Sequence, residues 1–320
     1  MLSRRHLRVK ALQALYAYFV SDSIDLDIGE KNMLRSVEKI YELIIWQMSF
    51  FREVQKFAEI RIDEGKKKFY PTEADLHPNT KFADNRFLLK LARNRDFKRK
   101  KEAFRINWAD EVEMVRKVYS EMRSLELYQE YMNAPGSSFE DDKSFCIKLF
   151  KDFLAYYPSL VSLYEERNIY WADDIDIADV LVLKIFKGIK ATDDEFTPLP
   201  GLYNTEGKEN PHEDREFLVE LYRKAILKSK EFETFISEKT NNWELERIAA
   251  MDIILIKMAL TELLEFPTIP VKVTLNEYIE LSKYYSTPKS RVFINGILDK
   301  MIADLKKRNQ LVKTGRGLIG

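Results

Sequence analysis

Between Trp243 and Asp299 apolar residues recur at helical spacing with so few interruptions that packed helices are the expected outcome. Leu245, Ile248, Ala249, Ile256, Ala259, Leu260 and Leu263 fall on one helical face. Phe266 to Pro270 is a Pro-punctuated turn. Pro270 suits the first turn of a following helix, where its missing N–H leaves nothing unsatisfied. Val273 to Lys283 and Phe293 to Asp299 continue the pattern, so the segment predicts three consecutive helices. Composition agrees: the 320 residues are 45% hydrophobic and 32% charged, with only 10 Gly and 10 Pro. That mixture is rich in helix formers and poor in turn formers, which predicts an all-α fold with one large core or two smaller ones.

The formal net charge of zero excludes a uniformly basic nucleic-acid binder but leaves room for a local basic patch. A single cysteine, Cys146, has no partner for a disulfide or a metal site. His6, His77 and His212 lack the spacing of a helical metal pair, so neither metal nor cofactor is expected. The most apolar run, Ile253 to Leu264, is interrupted by Lys257 and Glu262 and is too short to span a bilayer. With no targeting segment evident either, the sequence predicts a soluble cytoplasmic protein without membrane contact.

At the N-terminus Ser3 can cap a helix whose apolar face is Leu7, Ala11, Ala14 or Leu15, and Tyr18. Arg4, Arg5, Arg8 and Lys10 sit in its first two turns. Cations in a first turn oppose the helix dipole at a cost of about some tenths of a kcal/mol. Two readings stand: a solvated basic face, or a cluster that contacts phosphates. Lys31 to Arg61 reads as a second long helix with an apolar stripe from Val37 to Val54.

In the middle, Pro71 to Asn79 breaks the chain, and Phe82 to Lys101 and Trp108 to Met132 read as helical. Arg86, Lys90, Arg93, Arg95, Lys98, Arg99, Lys100 and Lys101 face only one acid, Asp96, with Phe87, Phe97 and Phe104 among or just beyond them. Aromatics among cations suit single-stranded RNA, and a solvated helix face is the alternative. Asn133 to Ser138 is a turn, and Thr197 to His212 reads as a long exposed loop. At an offset of 72, Asp142, Phe145, Leu149 and Trp171 meet Asp214, Phe217, Leu221 and Trp243; with one added residue, Asp179 to Lys184 meets Asp252 to Lys257. This suggests a degenerate repeat at 142–184, or two amphipathic hairpins that share a period.

The wording from Trp243 to Asp299 resembles the C-terminal half of the NusB family. That family's pattern is W-x-L-x-R-I, D-x-x-I-L-R-x-A-x-x-E-L, I-P-x-x-V-x-I-N-E-x-x-E-L-A-K and F-I-N-G-x-L-D. The N-terminal R-R-x-x-R followed by A-L-Q-A-L-Y resembles the family's start and is supplied here by Arg4, Arg5, Arg8 and Ala11 to Tyr16. The resemblance implies a NusB-like helical bundle of two helical subdomains, enlarged by an inserted helical block. The expected layout is 1–61 and 213–308 for the core, 62–212 for the insertion and 309–320 for a basic tail.

It further implies an RNA-binding transcription antitermination factor that binds boxA-like RNA with the ribosomal protein NusE. The setting would be the transcription elongation complex on ribosomal RNA operons. The RNA-contact residues so implied are Arg4, Arg5, Arg8, Lys10 and Tyr16, together with Tyr285, Lys289, Arg291 and Phe293 from the segment Tyr284 to Phe293. Asp252 would belong to the partner surface, although a rim ion pair would also account for it. Lys289 departs from the acid often found in the family, which favours RNA electrostatically and puts sequence discrimination in doubt.

Asn276 and Glu277 read as groups that bond free backbone donors at a helix start, and Gly296 as a point of close helix approach. Lys306, Lys307, Arg308, Lys313 and Arg316 add a basic end that could attract phosphates non-specifically. Ribosomal-RNA methyltransferases carry NusB-like domains too, but their Gly-rich cofactor loop and catalytic cysteine have no counterpart here, so no enzyme is expected. An interaction scaffold without specific RNA binding is the alternative function. Some family members hide the RNA surface in a homodimer, an arrangement open to this chain.

Overall fold

The computed structural model describes residues 1–21, 25–205, 210–240 and 248–318, which form fifteen α-helices and no strand among the described residues. In chain order α1 (Arg4–Val20), α2 (Leu26–Lys66), α3 (Glu73–Leu76), α4 (Arg86–Arg93) and α5 (Arg95–Ala103) come first. Next are α6 (Val112–Ser124), α7 (Glu126–Asn133), α8 (Phe139–Leu149), α9 (Pro158–Arg167) and α10 (Ile175–Gly188). The last are α11 (Glu213–Leu227), α12 (Ser229–Lys239), α13 (Ala250–Glu265), α14 (Val271–Tyr285) and α15 (Ser290–Lys307). No helix among the described residues is long and apolar enough to cross a membrane. The chain divides into two compact units, one of Met1 with Glu38–Leu202 and one of Leu2–Val37 with Tyr203–Gly320.

The second unit is built around α13, which packs against α1, α11, α12, α14 and α15. Every residue from Ile254 to Leu263 is buried, so α13 is enclosed on all sides where the sequence predicted one apolar face. Each fully buried Leu or Ile there contributes about 1.5–3 kcal/mol. Ala249, expected on that face, is exposed and caps the helix from an extended conformation (φ −55°, ψ 132°). Leu245 and Trp243 lie outside the described residues. The polar residues of α13 have partners, as burial requires. Lys257 Nζ donates to Ser229 Oγ (2.7 Å) and Glu233 Oε1 (2.6 Å), and Thr261 Oγ1 donates to the Lys257 carbonyl (2.8 Å). On α1, Leu7, Ala11, Leu12 and Leu15 are fully buried; Ala14 is only half-buried, so the core face runs through Leu15. Pro270 stands one residue before α14 as its cap rather than within its first turn. Gly296 is exposed, and a Cβ there would meet nothing within 4 Å, so it serves no close helix approach.

In the first unit, α8 packs against α4, α7 and α10. The run expected as one helix from 82 to 101 is broken at Asn94, whose extended backbone (φ −58°, ψ 123°) ends α4 and starts α5. Its Oδ1 accepts from Phe97 N (2.8 Å) and its Nδ2 donates to the Thr197 carbonyl (2.7 Å), bonds a mid-helix asparagine could not make. Phe87 and Phe97 are buried at 0% and 3% exposure, so they are core and not platforms for RNA bases. The turn at 133–138 holds, with Gly136 at φ +70°, where a Cβ would be strained. Ser138 and Asp141 then close a capping box on α8. The loop expected to be exposed from Thr197 is packed at its start: Leu199 and Leu202 are buried, and Leu199 N donates to Asp96 Oδ2 (3.0 Å).

Candidate nucleic-acid interface

The N-terminal cations of α1 lie among carboxylates from other helices of the second unit. Arg4 pairs with Glu213 and, at 3.5 Å, with Asp214 of α11, its guanidinium 5.0 Å above the Phe217 ring. Arg5, 49% exposed, makes a two-pronged contact with Glu277 of α14, Nε to Oε2 at 2.9 Å and NH2 to Oε1 at 2.7 Å. The first turn of α1 contains no acid of its own. Carboxylates from α11 and α14 thus provide the negative charge that a helix N-terminus favours and the countercharge its arginines need.

Arg8 is not at the surface. It is 3% exposed, and its guanidinium donates to Glu262 at 2.7 and 2.8 Å and to Glu277 at 3.4 Å. Glu262, wholly buried, also accepts from Thr274 Oγ1 (2.8 Å) and Tyr278 OH (3.2 Å). Burial lowers the Arg8 pKa, but the Glu262 hydrogen bonds and charge outweigh it and hold the group above its ordinary value. Burial likewise pushes the Tyr278 phenol up, with the Glu262 charge adding to it. Lys10 is also buried, at 4% exposure. The spacing that put Arg8 and Lys10 beside Arg4 and Arg5 in sequence turns them inward on the helix. Both side chains are thus turned away from the surface, where the sequence had grouped them with Arg4 and Arg5.

Glu277 corrects a second reading. It bonds no backbone donor at the start of α14 but joins Arg5 and Arg8. Burial alone would raise its pKa, yet the Arg5 hydrogen bonds and the charges of Arg8 and Arg5 bring it below the usual carboxylate value. Three residues on, Glu280 is stabilised as an anion first by Lys283 and also by the charges of Arg5 and Arg291. The start of α1 and the start of α15, far apart in sequence, therefore lie within electrostatic reach of one carboxylate.

The α14–α15 connection is tighter than the sequence implied, since α14 runs to Tyr285 and α15 begins at Ser290. Tyr284 is 78% exposed while Tyr285 and Phe293 are half-buried, so Tyr284, not Tyr285, presents an open ring. Tyr16 is also exposed, at 42%. Lys289 and Arg291 are exposed, and neither makes an ion pair with a described carboxylate. They flank the N-terminus of α15, whose first turn holds no acid, so free backbone N–H groups and two cations converge there.

Asp252 is 5% exposed and accepts from Ser286 Oγ. Ser286 meets Ser290 Oγ at 2.9 Å, and Ser290 Oγ accepts from Thr287 N at 3.2 Å. The carboxylate expected at a partner surface is turned inward and braces the turn that displays Tyr284, Lys289 and Arg291. Sequence spacing could not reveal this bond between α13 and a turn 34 residues away. Among the described residues, no cluster of His, Cys, Asp and Glu could hold a metal ion.

Comparison with known proteins bears on the same half of the chain. A family model described as the NusB family matches residues 177–303, from within α10 to within α15. The chain is 46% identical over 106 residues to the transcription antitermination protein NusB of Salinibacter ruber, covering 33% of this chain and 66% of that protein. It is 39% identical over 105 residues to the NusB protein of Chloroherpeton thalassium, covering 33% and 50% respectively. With the NusB protein of Koribacter versatilis it shares 35% identity over 100 residues, covering 31% and 68%. The chain thus spans about half to two thirds of the length of these relatives. No solved structure matches.

Proposed function

Because the chain belongs to the NusB family, we propose that it is a transcription antitermination factor that acts by binding RNA, with no catalysis of its own. In this reading it binds boxA-like single-stranded RNA together with the ribosomal protein NusE, within the cytoplasmic elongation complex on ribosomal RNA operons. The observation that carries it is the group of exposed side chains, Tyr284, Lys289 and Arg291, displayed at the start of α15. Arg5, Lys289 and Arg291 would neutralise phosphates, and Tyr284 and Tyr16 would take bases on their exposed faces. Arg8 and Asp252 act from behind, the first fixing α1 on α13 and the second fixing the α14–α15 turn. A partner protein would meet the surface around that turn rather than Asp252 itself.

The occupation of Arg4, Arg5 and Arg8 by carboxylates favours a second reading, an interaction scaffold without specific RNA binding. Lys289→Gln with Arg291→Gln separates the two. The first reading expects boxA RNA affinity to fall and its log–log salt slope to flatten by about 1.4, at about 0.7 for each lost phosphate contact on a single strand. Unchanged affinity and slope would favour the scaffold.

We infer further that 142–184 is a degenerate copy of the helices from α11 to α13. Asp142 and Asp214 are both buried, at 1% and 3% exposure, and each holds the start of a helix. Asp142 Oδ2 accepts from Arg86 N of α4 at 2.8 Å, and Asp214 pairs with Arg4 of α1. α9 and α12, of 10 and 11 residues, follow in matching order. A solved structure in which the α8–α10 and α11–α13 crossing angles differ by more than the usual scatter of about 20° would exclude the copy.

A further inference from the structure

At the C-terminal end of α2 the chain runs Lys66-Lys67-Lys68-Phe69-Tyr70-Pro71. Phe69 and Tyr70 are 88% and 83% exposed, the most open aromatic side chains among the described residues. The two rings meet edge to face with centroids 4.7 Å apart.

The turn itself is well tied. Lys67 N and Lys68 N donate to the Glu64 and Gly65 carbonyls at 3.2 and 3.3 Å. Asp75, behind the turn, accepts from Lys68 Nζ (2.7 Å), Thr72 N (2.9 Å) and Thr72 Oγ1 (2.8 Å). Gly65 permits this, since a Cβ there would stand 3.0 Å from Asp75 Oδ1. The rings are therefore held outward on a fixed turn. Lys66 and Lys67, also exposed, make no ion pair with a described carboxylate. Beside the turn is a polar groove of about 510 Å³ whose walls include Tyr119, Arg123, Gln129 and Asn133, together with Arg61 and Lys68. Those last two pair with Glu64 and Asp75, which leaves Arg123 with the exposed Lys66 and Lys67 as the cations open to a strand. Arg123 lies over the Tyr119 ring at 5.8 Å.

We propose that this tip and groove form a binding site for single-stranded RNA in the first unit, separate from the α1 and α14–α15 surface and not dependent on it. Every base has a π face, so an exposed ring takes a base of any identity, while ammonium and guanidinium groups neutralise the backbone. The Asn133 amide and the Gln129 side chain, whose Nε2 donates to the Arg123 carbonyl (2.6 Å), line the groove with polar groups for sugar and base edges. An anionic lipid surface would satisfy the lysines and the rings but would leave that groove unused. The site thus tracks a strand without reading its sequence.

The test uses the full chain and a fluorescein-labelled twelve-nucleotide oligouridylate, with anisotropy read across a salt series. It is run in the wild type and in the Lys289→Gln/Arg291→Gln background, so that the other surface does not mask the result. Phe69→Ala/Tyr70→Ala should weaken binding on the order of fivefold or more, the loss of one stacked base. Lys66→Gln/Lys67→Gln should lower the log–log salt slope by about 1.4. All four side chains are exposed, so the variants should fold as the parent does. A thiouridine-substituted strand should cross-link to Phe69 or Tyr70 under ultraviolet light. Unchanged affinity and slope in both variants would overturn the proposal. So would variants that lose only their affinity for phosphatidylserine vesicles. Binding that persists only through Lys289 and Arg291 would overturn it too, while leaving the proposed function intact.

Discussion

Replacing Arg8 with Ala probes the buried centre that joins α1 to α13. Arg8 is 3% exposed and Glu262 is 0% exposed, with two direct hydrogen bonds between them. The substitution leaves Glu262 as a buried anion without that countercharge. Breaking such a pair from one side costs about 3–5 kcal/mol. Thr274 Oγ1 and Tyr278 OH still donate to the carboxylate, which puts the expectation near the lower end, about 3 kcal/mol. Replacing both partners, Arg8→Met with Glu262→Leu, removes the uncompensated charge and should recover about 1–2 kcal/mol of that loss, short of full recovery because Thr274 and Tyr278 lose their acceptor. Urea titration read through hydrogen exchange of the α13 amides follows this unit alone, which matters because a chain of two units need not unfold in one step. A loss below about 1 kcal/mol for Arg8→Ala, or a double variant as unstable as the sum of the singles, would refute the argument.

Glu277 is held below the usual carboxylate pKa, so its contribution to stability is present above its unfolded value and is lost as pH falls through the folded one. Glu277→Gln should flatten the acid limb of a stability–pH profile, and an identical limb would contradict this. Asp179 behaves oppositely: burial, opposed by the Gln47 hydrogen bond, pushes its pKa from 3.8 to about 7. The unfolded chain releases that proton first, so stability falls as pH rises between those values. Asp179→Asn should therefore be the more stable protein at pH values above about 7, with the difference closing toward pH 4, and a gap independent of pH would count against the burial argument. Ser286→Ala should speed amide exchange across Thr287 to Ser290 and cost about 1 kcal/mol, while unchanged exchange would mean that Asp252 does not brace the turn.

The helices were legible because the signals that set them are local. Ser3 and the turn from Asn133 to Ser138 placed helix ends correctly, and the apolar stripe of α1 selected Leu7, Ala11 and Leu15. The break at Asn94 was not legible, because an asparagine within a run of helix formers declares itself only when Thr197, about a hundred residues away, accepts its amide. The candidate surface was half legible. Arg5 stood out by charge, Lys289 and Arg291 were implied by the family resemblance, and the structure leaves all three exposed. Arg8, Lys10, Phe87, Phe97 and Asp252 have the residue types of a binding surface, but burial gives them other positions. Residue type specifies what a side chain can contact, and packing decides whether it reaches solvent. Tyr284 and the Phe69–Tyr70 pair are the converse, apolar residues whose exposure no periodicity announces.

The proposed function holds that this chain selects a boxA-like strand in company with the ribosomal protein NusE. Its most direct test is equilibrium binding of boxA-containing and scrambled single-stranded RNA to the full chain, with and without NusE, at one fixed salt concentration. The account predicts tighter binding to boxA RNA, with the preference widening when NusE is present. Equal, weak binding to both RNAs under every condition would contradict it.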